Sequence, residues 1–214
     1  ILFGGSGTAV IESLLTSVIP HEKSVLIVNN GAYGKRMCQI ASRFKINFVE
    51  FQSSPIEPIE LNKLEDNLKS NNGISHLALI HNETTTGLLN DLDNIGDICK
   101  KYNVQLIVDA MSSYAAIPID MKRQNISYLA ASSNKNIQGM AGAGFVIAKK
   151  SLFKSLKNIK PKGFYLSLYE QYDNFVKTKQ MRFTPPVQVL YALKQAIIEA
   201  KKEGIENRYL RYSK

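Results

Sequence analysis

The chain has 214 residues, of which 44% are hydrophobic and 21% are charged. This composition fits one large α/β domain, or a domain with part of a second, and it excludes a disordered or low-complexity chain. No apolar run in the sequence approaches the roughly 20 residues that span a membrane. The formal net charge is +9, and no nucleic-acid motif accompanies it. We therefore expect a solvated basic face formed by the lysines at 149, 150, 154, 157, 160, 162, 201 and 202. A modest attraction for anionic substrates is the alternative role of this charge.

Apolar runs alternate with helical patterns along the chain. Strands are predicted at residues 24–28, 46–51, 76–80, 104–109, 127–131 and 144–148. Four of them contain continuously apolar runs (25–28, 77–80, 106–108 and 145–147), which is typical of strands covered on both faces. Helices are predicted at 8–18 and 32–44, with further apolar helix faces at 61–68 and 95–102. This alternation predicts an α/β fold with a mostly parallel sheet sandwiched by helices.

The pattern changes in the last quarter of the chain. Pro161 and Gly163 interrupt the alternation, and residues 166–176 and 186–202 read as helices that leave the sheet. We therefore expect a large domain at 1–185, and at 186–214 a helix that leads toward a further domain. The chain begins at Ile1 rather than at a methionine, so we expect the natural N-terminus to lie upstream.

Lys135 is the most informative residue. It stands in a short polar run between a mostly apolar stretch and a glycine-punctuated strand, and an amine in such a place can form a Schiff base if its pKa is depressed. Asp109 ends the apolar run 104–109. A lysine that holds the aldehyde and an acid that keeps the ring nitrogen protonated are the two groups that pyridoxal phosphate needs. A surface lysine and a helix-capping aspartate are the plainer alternatives.

A glycine loop at residues 4–8 (GGSGT) runs directly into an apolar helix. Its glycines would allow a phosphate to approach the backbone, and the helix N-terminus would supply N–H groups and a positive dipole end. Ser6 and Thr8 add hydroxyl donors. An ordinary helix cap has the same appearance. The loop is not a P-loop, and no strand is predicted before it, so it is not a dinucleotide fingerprint either.

Two further segments follow buried strands. Residues 30–34 (NGAYG) contain Tyr33, which could stack on an aromatic ring, although a packed tyrosine at a strand-to-helix turn fits equally well. Residues 81–87 (HNETTTG) offer hydroxyls and amides that could contact a ring substituent, or could cap a threonine-rich turn. Because ligands of open α/β sheets bind at the carboxyl ends of the strands, both segments are candidates for one site.

The two cysteines, Cys38 and Cys99, fit no metal or redox spacing. Each falls among apolar neighbours in a predicted helix, so we expect buried free thiols. Free thiols are compatible with a reducing cytoplasm, which is the expected location.

The order and spacing of these segments resemble the class V, fold-type I aminotransferases. The matching runs are residues 4–8, 30–34, 81–87, 108–113 (VDAMSS), 132–139 (SSNKNIQG), 165–169 (YLSLY) and 182–186 (RFTPP). The last three are similar to the branch of that family that acts on phosphonates. The resemblance covers essentially the whole chain and implies the three-layer large domain of that fold type.

The resemblance also implies roles at a pyridoxal 5'-phosphate site. Phosphate contacts would come from Ser6, Gly7 and Thr8, with support from Asn134, and Lys135 would be the Schiff-base residue. Tyr33 would stack on the ring, Thr84 would bind near the ring hydroxyl, and Asp109 would pair with the ring nitrogen. Thr184 resembles a residue that reaches the phosphate in a neighbouring subunit, which implies a homodimer with shared sites.

The implied reaction transfers the amino group of 2-aminoethylphosphonate to pyruvate. Members of the family are longer at both ends, so the resemblance places an N-terminal arm, most of a small domain and the substrate-clamping arginine outside this sequence. Alternatives are an alanine–glyoxylate or serine–pyruvate aminotransferase, or a catalytically silent dimerising fragment. A nucleotide-binding domain fits less well, because no acid follows the glycine loop at dinucleotide spacing.

Overall fold

The computed structural model describes all 214 residues. The strands are β1 (Leu2–Gly4), β2 (Ser24–Asn29), β3 (Phe48–Gln52), β4 (Ile74–Ile80), β5 (Asn82–Glu83), β6 (Leu88–Leu89), β7 (Gln105–Asp109), β8 (Ile126–Ser132) and β9 (Ala143–Ala148). The helices are α1 (Gly7–Val18), α2 (Ala32–Arg43), α3 (Leu61–Ser70), α4 (Leu92–Lys101), α5 (Lys150–Ser155), α6 (Leu168–Thr178), α7 (Val187–Glu203) and α8 (Ile205–Tyr212), with a short 3-10 helix at Leu156–Asn158.

Seven strands form one sheet in the order β1-β9-β8-β7-β4-β2-β3. The five strands from β8 to β3 pair in parallel, which requires crossover connections and explains the helices between them. β9 is antiparallel to β8, and β1 is antiparallel to β9. β5 and β6 form a separate hairpin. The predicted mostly parallel sheet is confirmed, and the carboxyl ends of β4, β7 and β8 lie side by side at one edge.

The core occupies both faces of this sheet. Successive strand residues point to opposite faces, so Val25 packs with the apolar residues of α1 and α2, whereas Leu26 packs with those of α3 and α4. This two-sided burial explains the continuous apolar runs, because each buried side chain contributes about 1.5–3 kcal/mol. The prediction that the run 145–147 is covered on both faces is wrong at Ile147 in β9, which is 37% exposed.

The sequence suggested that the C-terminal helices leave the sheet, and this prediction is wrong. Leu168 of α6 is fully buried in the cluster that contains α1. Leu193 and Ala196 of α7 are buried in the cluster on the other face. Both helices therefore form part of the layers that cover the sheet, and the division of the chain after residue 185 stays a prediction.

Several short elements escaped prediction. β1 has three residues, and it does precede the glycine loop, contrary to expectation, but as an antiparallel strand beside β9. The hairpin strands have two residues each, and α5 and α8 have six and eight. Segments of this length hold too few residues to display a helical or strand period.

The cysteines and lysines lie largely as predicted. Cys38 and Cys99 are buried free thiols, and burial raises the pKa of Cys38 to about 11 and that of Cys99 to about 12. The predicted basic face is exposed except at Lys162, which is half-buried and donates to the Phe44 carbonyl at 3.1 Å. None of the helices combines the length and apolarity that crossing a membrane requires.

Candidate functional site

A cavity of about 460 Å³ opens where β4, β7 and β8 end and where α1 and α2 begin. This is the edge at which open α/β sheets bind ligands. The cavity brings together residues that are far apart in the sequence. Of the nine predicted site residues, eight line it, namely Ser6, Gly7, Thr8, Tyr33, Thr84, Asp109, Asn134 and Lys135.

The glycine loop delivers the N-terminus of α1 to the cavity. Gly5 has φ +147°, a conformation that side chains disfavour, and a Cβ at Gly7 would lie 2.7 Å from Met111 Sδ. The loop can therefore pack closely against the segment that follows Asp109. Ser6 is the N-cap of α1, but its side chain accepts no hydrogen bond from the helix. Its hydroxyl and the unpaired N–H groups of the first turn are available to an anion.

Asp109 is the last residue of β7 and is buried. Its Oδ1 accepts a hydrogen bond from Met111 N at 2.9 Å, and Oδ2 has no partner within the chain. Burial raises the pKa of this carboxyl to about 7; the Met111 N–H opposes that rise, the nearby Glu83 adds to it, and Arg36 and Lys135 oppose it. A buried carboxyl with a raised pKa and a free oxygen can bind a cationic hydrogen-bond donor, which would favour its ionised form.

Lys135 lies in a tight turn between β8 and β9. We define the Lys135 turn as residues 133–139; it is closed by hydrogen bonds from Gln138 N to Lys135 O at 2.7 Å and from Gly139 N to Ser133 O at 2.8 Å. The Lys135 side chain is exposed on the cavity wall beside Asn134 and makes no hydrogen bond within the chain. Its amine is free to react.

Tyr33 enters the cavity from the first turn of α2. Its backbone N–H donates to Glu83 Oε2 at 3.2 Å, and Glu83 is fully buried. A Cβ at Gly31 would lie 2.5 Å from the Glu83 side chain, so only glycine permits this approach. Glu83 thus fixes the start of α2 to the β5–β6 hairpin, a role that the sequence interpretation missed.

The threonine-rich hairpin divides its side chains between two uses. Thr85 Oγ1 donates to Glu83 Oε1 at 2.6 Å, and Thr86 Oγ1 accepts a bond from Leu88 N at 3.4 Å, so both stabilise the turn itself. Only Thr84 lines the cavity. His81 lies outside it, buried with Nδ1 2.8 Å from Ser113 Oγ, and burial lowers its pKa to about 4.

Arg36 lines the cavity and was not predicted from the sequence. It lies one turn after Tyr33, its guanidinium is 4.8 Å from the Tyr33 ring centroid, and its Nη1 donates to Thr8 Oγ1 at 3.3 Å. The i and i+3 spacing on a predicted helix could have revealed it, because such residues share a face. Arg36 adds a permanent positive charge next to the α1 N-terminus.

Thr184 is the one predicted residue that does not reach the cavity. It is exposed, and its segment is held by neighbouring residues, since Phe183 stacks on Tyr165 with ring centroids 4.9 Å apart and Arg182 donates to Phe164 O at 2.8 Å. Its hydroxyl could contact such a cavity only in a second copy of the chain that lies next to it.

The arrangement combines three chemical capacities within one pocket. A free primary amine can attack an aldehyde, a buried acid can hold a protonated ring nitrogen, and a helix N-terminus with an arginine can bind a dianion. Few ligands other than an aromatic aldehyde that carries a phosphate use all three.

Comparison with known proteins points the same way. The family model described as aminotransferase class-V matches residues 1–209. A bifunctional phosphonoacetaldehyde hydrolase/aminoethylphosphonate transaminase of Clostridioides difficile (strain 630) is 44% identical over 99% of this chain and 34% of its own length. A 2-aminoethylphosphonate–pyruvate transaminase of Bacillus cereus (strain G9842) is 41% identical over 99% of this chain and 58% of its own. The chain thus spans only part of the relatives that it matches.

Solved structures share the fold. An alanine–glyoxylate aminotransferase from Nostoc sp. superposes with a TM-score of 0.90 at 25% identity, over 99% of this chain and 56% of that one. A pyridoxamine–pyruvate aminotransferase from Mesorhizobium loti gives a TM-score of 0.88 at 24% identity, over 99% and 54% of the two chains. The three-layer architecture is therefore that of the aminotransferase large domain.

Proposed function

This chain belongs to the class V aminotransferase family, and from that premise we propose that its protein is a pyridoxal 5'-phosphate-dependent aminotransferase. The proposed reaction moves the amino group of 2-aminoethylphosphonate to pyruvate and yields phosphonoacetaldehyde and L-alanine. The choice of substrate is supported by relatives 41–44% identical whose names specify aminoethylphosphonate transaminases. The observation that carries the cofactor assignment is the meeting of Lys135, Asp109 and the α1 N-terminus in one cavity.

The cofactor's three functional ends each have a matching group in the chain. Lys135 Nζ would hold the aldehyde. The Ser6 hydroxyl, the Gly7 and Thr8 N–H groups and Asn134 would bind the phosphate, with the positive end of α1 behind them. When bound, the cofactor supplies an electron sink for charge that develops on the substrate carbon.

Asp109 and Tyr33 would orient the ring. Asp109 Oδ2, the carboxyl oxygen without a partner, is the proposed acceptor for the ring N–H. A positive charge there would favour the ionised carboxylate and reverse the effect of burial on its pKa. Tyr33 would stack on the ring, and Thr84 would donate to the ring hydroxyl region.

Lys135 would also move the proton. Its free Nζ would act as a base toward the substrate carbon and would return the proton as an acid. The turn that carries it is closed by backbone hydrogen bonds, so the backbone from which the amine extends is held in place.

Amino-donor preference tests the substrate assignment. With the full-length protein, we expect kcat/KM for 2-aminoethylphosphonate with pyruvate to exceed that for serine with pyruvate or alanine with glyoxylate by at least about 100-fold. The reason is that a phosphonate accepting two charge-assisted hydrogen bonds would gain about 3–6 kcal/mol, and neither serine nor alanine carries a phosphonate. Product alanine or glycine is measured, and Lys135→Ala serves as the blank.

An alanine–glyoxylate aminotransferase is the second candidate, favoured by the TM-score of 0.90 with the Nostoc protein of that name. At 25% identity the similarity concerns the scaffold more than the substrate. A donor preference for alanine with glyoxylate in the assay above would select this candidate and reject the phosphonate substrate.

We further propose a homodimer with shared sites. Phe164, Tyr165 and Phe183 form an aromatic patch. The ring centroids of Phe164 and Tyr165 lie 6.1 Å and 4.9 Å, respectively, from that of Phe183, and Phe164 is 74% exposed. Contiguous exposed apolar groups of this kind mark interaction surfaces. Thr184 lies directly beside this aromatic patch, exposed and outside its own cavity, as a residue that serves a second copy would be.

Light scattering of the full-length protein is expected to give the mass of two chains. Phe164→Glu should raise the dimer dissociation constant at least about tenfold, because loss of an aromatic hot-spot residue typically costs about 2 kcal/mol or more and about 1.4 kcal/mol is tenfold. Ile56→Glu is the matched control, since Ile56 is 76% exposed and follows β3, whereas Tyr165 of the aromatic patch packs near Gly4 of β1, at the opposite edge of the sheet. A wild-type mass of one chain would contradict the proposed homodimer.

The proposed compartment is the cytoplasm. The buried free thiols of Cys38 and Cys99 are compatible with reducing conditions, under which disulfides are rare.

A further inference from the structure

Lys135 has no side-chain partner, so the turn that carries it must set its position. One residue of that turn, Gln138, has φ +66°, a backbone conformation that is costly for residues other than glycine. Such a conformation persists only when its surroundings hold it. The contacts that hold the Lys135 turn come from two directions.

The first contact comes from α8. Arg208 is 2% exposed, and its Nη1 donates to Asn136 O at 3.0 Å while its Nη2 donates to Gln138 Oε1 at 2.8 Å. Its Nε donates to Glu203 Oε2 at 2.7 Å, so the buried cation is paired. Tyr212, one turn later, accepts a bond from Gln138 Nε2 at 2.9 Å. The planar guanidinium thus hydrogen-bonds to the turn at the residues on both sides of Ile137.

The second contact joins the Lys135 turn to the segment that follows Asp109. Asn136 Nδ2 donates to Ser112 O at 2.6 Å, and Ser112 Oγ in turn donates to Asn82 O at 2.7 Å. Asn136 therefore accepts from Arg208 through its backbone and donates to Ser112 through its side chain. It links the loops of the lysine and the aspartate directly.

We propose that Arg208 and Asn136 are positioning residues that hold Lys135 in register with Asp109, a role that rests on the proposed function of Lys135. Neither residue lines the cavity, so neither touches a ligand there. Their effect acts through the turn. Without the Arg208 fork the strained Gln138 conformation loses its support, and the Lys135 amine samples positions away from the reacting atoms.

The test compares Arg208→Lys with Arg211→Lys in the full-length protein. Lysine keeps the positive charge beside Glu203 but cannot bridge two acceptors as the guanidinium does. Arg211 is the matched control, because it lies on the same helix and donates to the same Glu203, at 2.7 Å, without contacting the turn. Amide hydrogen exchange is measured without cofactor, and the pH titration of the lysine-bound cofactor's visible absorbance is measured with it.

In Arg208→Lys we expect amides of residues 134–139 to exchange about tenfold faster or more, the factor for one lost charge-assisted hydrogen bond, with β4 and β7 unchanged. The absorbance titration should shift in Arg208→Lys and not in Arg211→Lys. Asn136→Ala, which removes only the Ser112 contact, should also accelerate exchange in the turn, and it decides the matter if Arg208→Lys proves too unstable.

Unchanged exchange in the turn in both Arg208→Lys and Asn136→Ala would overturn the positioning role. So would acceleration that spreads equally through β4 and β7 in every variant, since this would mean a purely global stabilising effect. If the wild-type protein fixes no cofactor on Lys135, the proposed function fails, and the exchange data still report independently on what holds the turn.

Discussion

Borohydride reduction in the presence of pyridoxal phosphate is expected to fix the cofactor onto Lys135 of the full-length protein. Lys135 presents an unpaired amine on the wall of a cavity whose other groups suit a phosphate and a ring nitrogen. The lysine-bound form should absorb visible light, and peptide mass mapping should place the label. Lys135→Ala should reduce the labelled fraction to background, because the bond cannot form without that amine.

Lys150→Ala provides the control for the labelling experiment. Lys150 is exposed at the start of α5, outside the cavity, so its loss should leave labelling at the wild-type level. A stoichiometric label on another lysine in the wild-type protein would refute the assignment of Lys135.

Replacing Asp109 by asparagine is expected to separate cofactor binding from turnover. The amide fits the same space and the phosphate contacts remain, but it cannot hold a protonated ring nitrogen. Breaking a buried charge pair costs about 3–5 kcal/mol, which corresponds to a fall in kcat of about 150- to 5000-fold. Asp93→Asn is the control, since Asp93 pairs with Arg123 at the surface. Near-normal turnover in Asp109→Asn would remove Asp109 from the mechanism.

The same substitution should stabilise the cofactor-free protein at high pH. Asp109 titrates at about 7 in the folded chain, against 3.8 for the free group. Between these values the folded state binds more protons than the unfolded state, so stability falls as pH rises through this window and levels off above about pH 7. At about 1.4 kcal/mol per pH unit, the penalty approaches about 4 kcal/mol.

Thermal unfolding of the cofactor-free proteins measures this penalty. Asp109→Asn should unfold at a higher temperature than wild type at pH 8 and at a similar temperature at pH 4, where the wild-type carboxyl is protonated. An unchanged or lower unfolding temperature at pH 8 would show that burial of the charge carries no such cost. A group that destabilises the empty protein and serves the loaded one is the pattern expected of a functional site.

Much of the candidate site could be predicted because its signals are local. The glycine loop, the strand-end Asp109 and the polar run around Lys135 are each contained in a few consecutive residues, and eight of the nine predicted residues do line one cavity. Their roles as cofactor ligands remain predictions.

Other residues escaped prediction because their function depends on distant partners. Glu83 looked like part of a threonine-rich turn, yet it binds Tyr33 N from 50 positions away. Arg208 lies in α8, a helix that the sequence did not predict, yet it is buried and contacts Gln138 across 70 positions. No rule of sequence spacing covers separations of 50 or 70 positions, because these two contacts form only when the folded chain brings the segments together.

The sequence by itself determined the alternation of strands and helices, the parallel sheet and the location of its polar segments, because these follow from the periods of apolar burial and from short-range backbone chemistry. Only the tertiary structure decided that the C-terminal helices cover the sheet, that Thr184 lies outside its own cavity and that α8 grips the Lys135 turn. Those outcomes depend on which surfaces meet, and a buried guanidinium is tolerated only where folding brings acceptors from several separate segments to it.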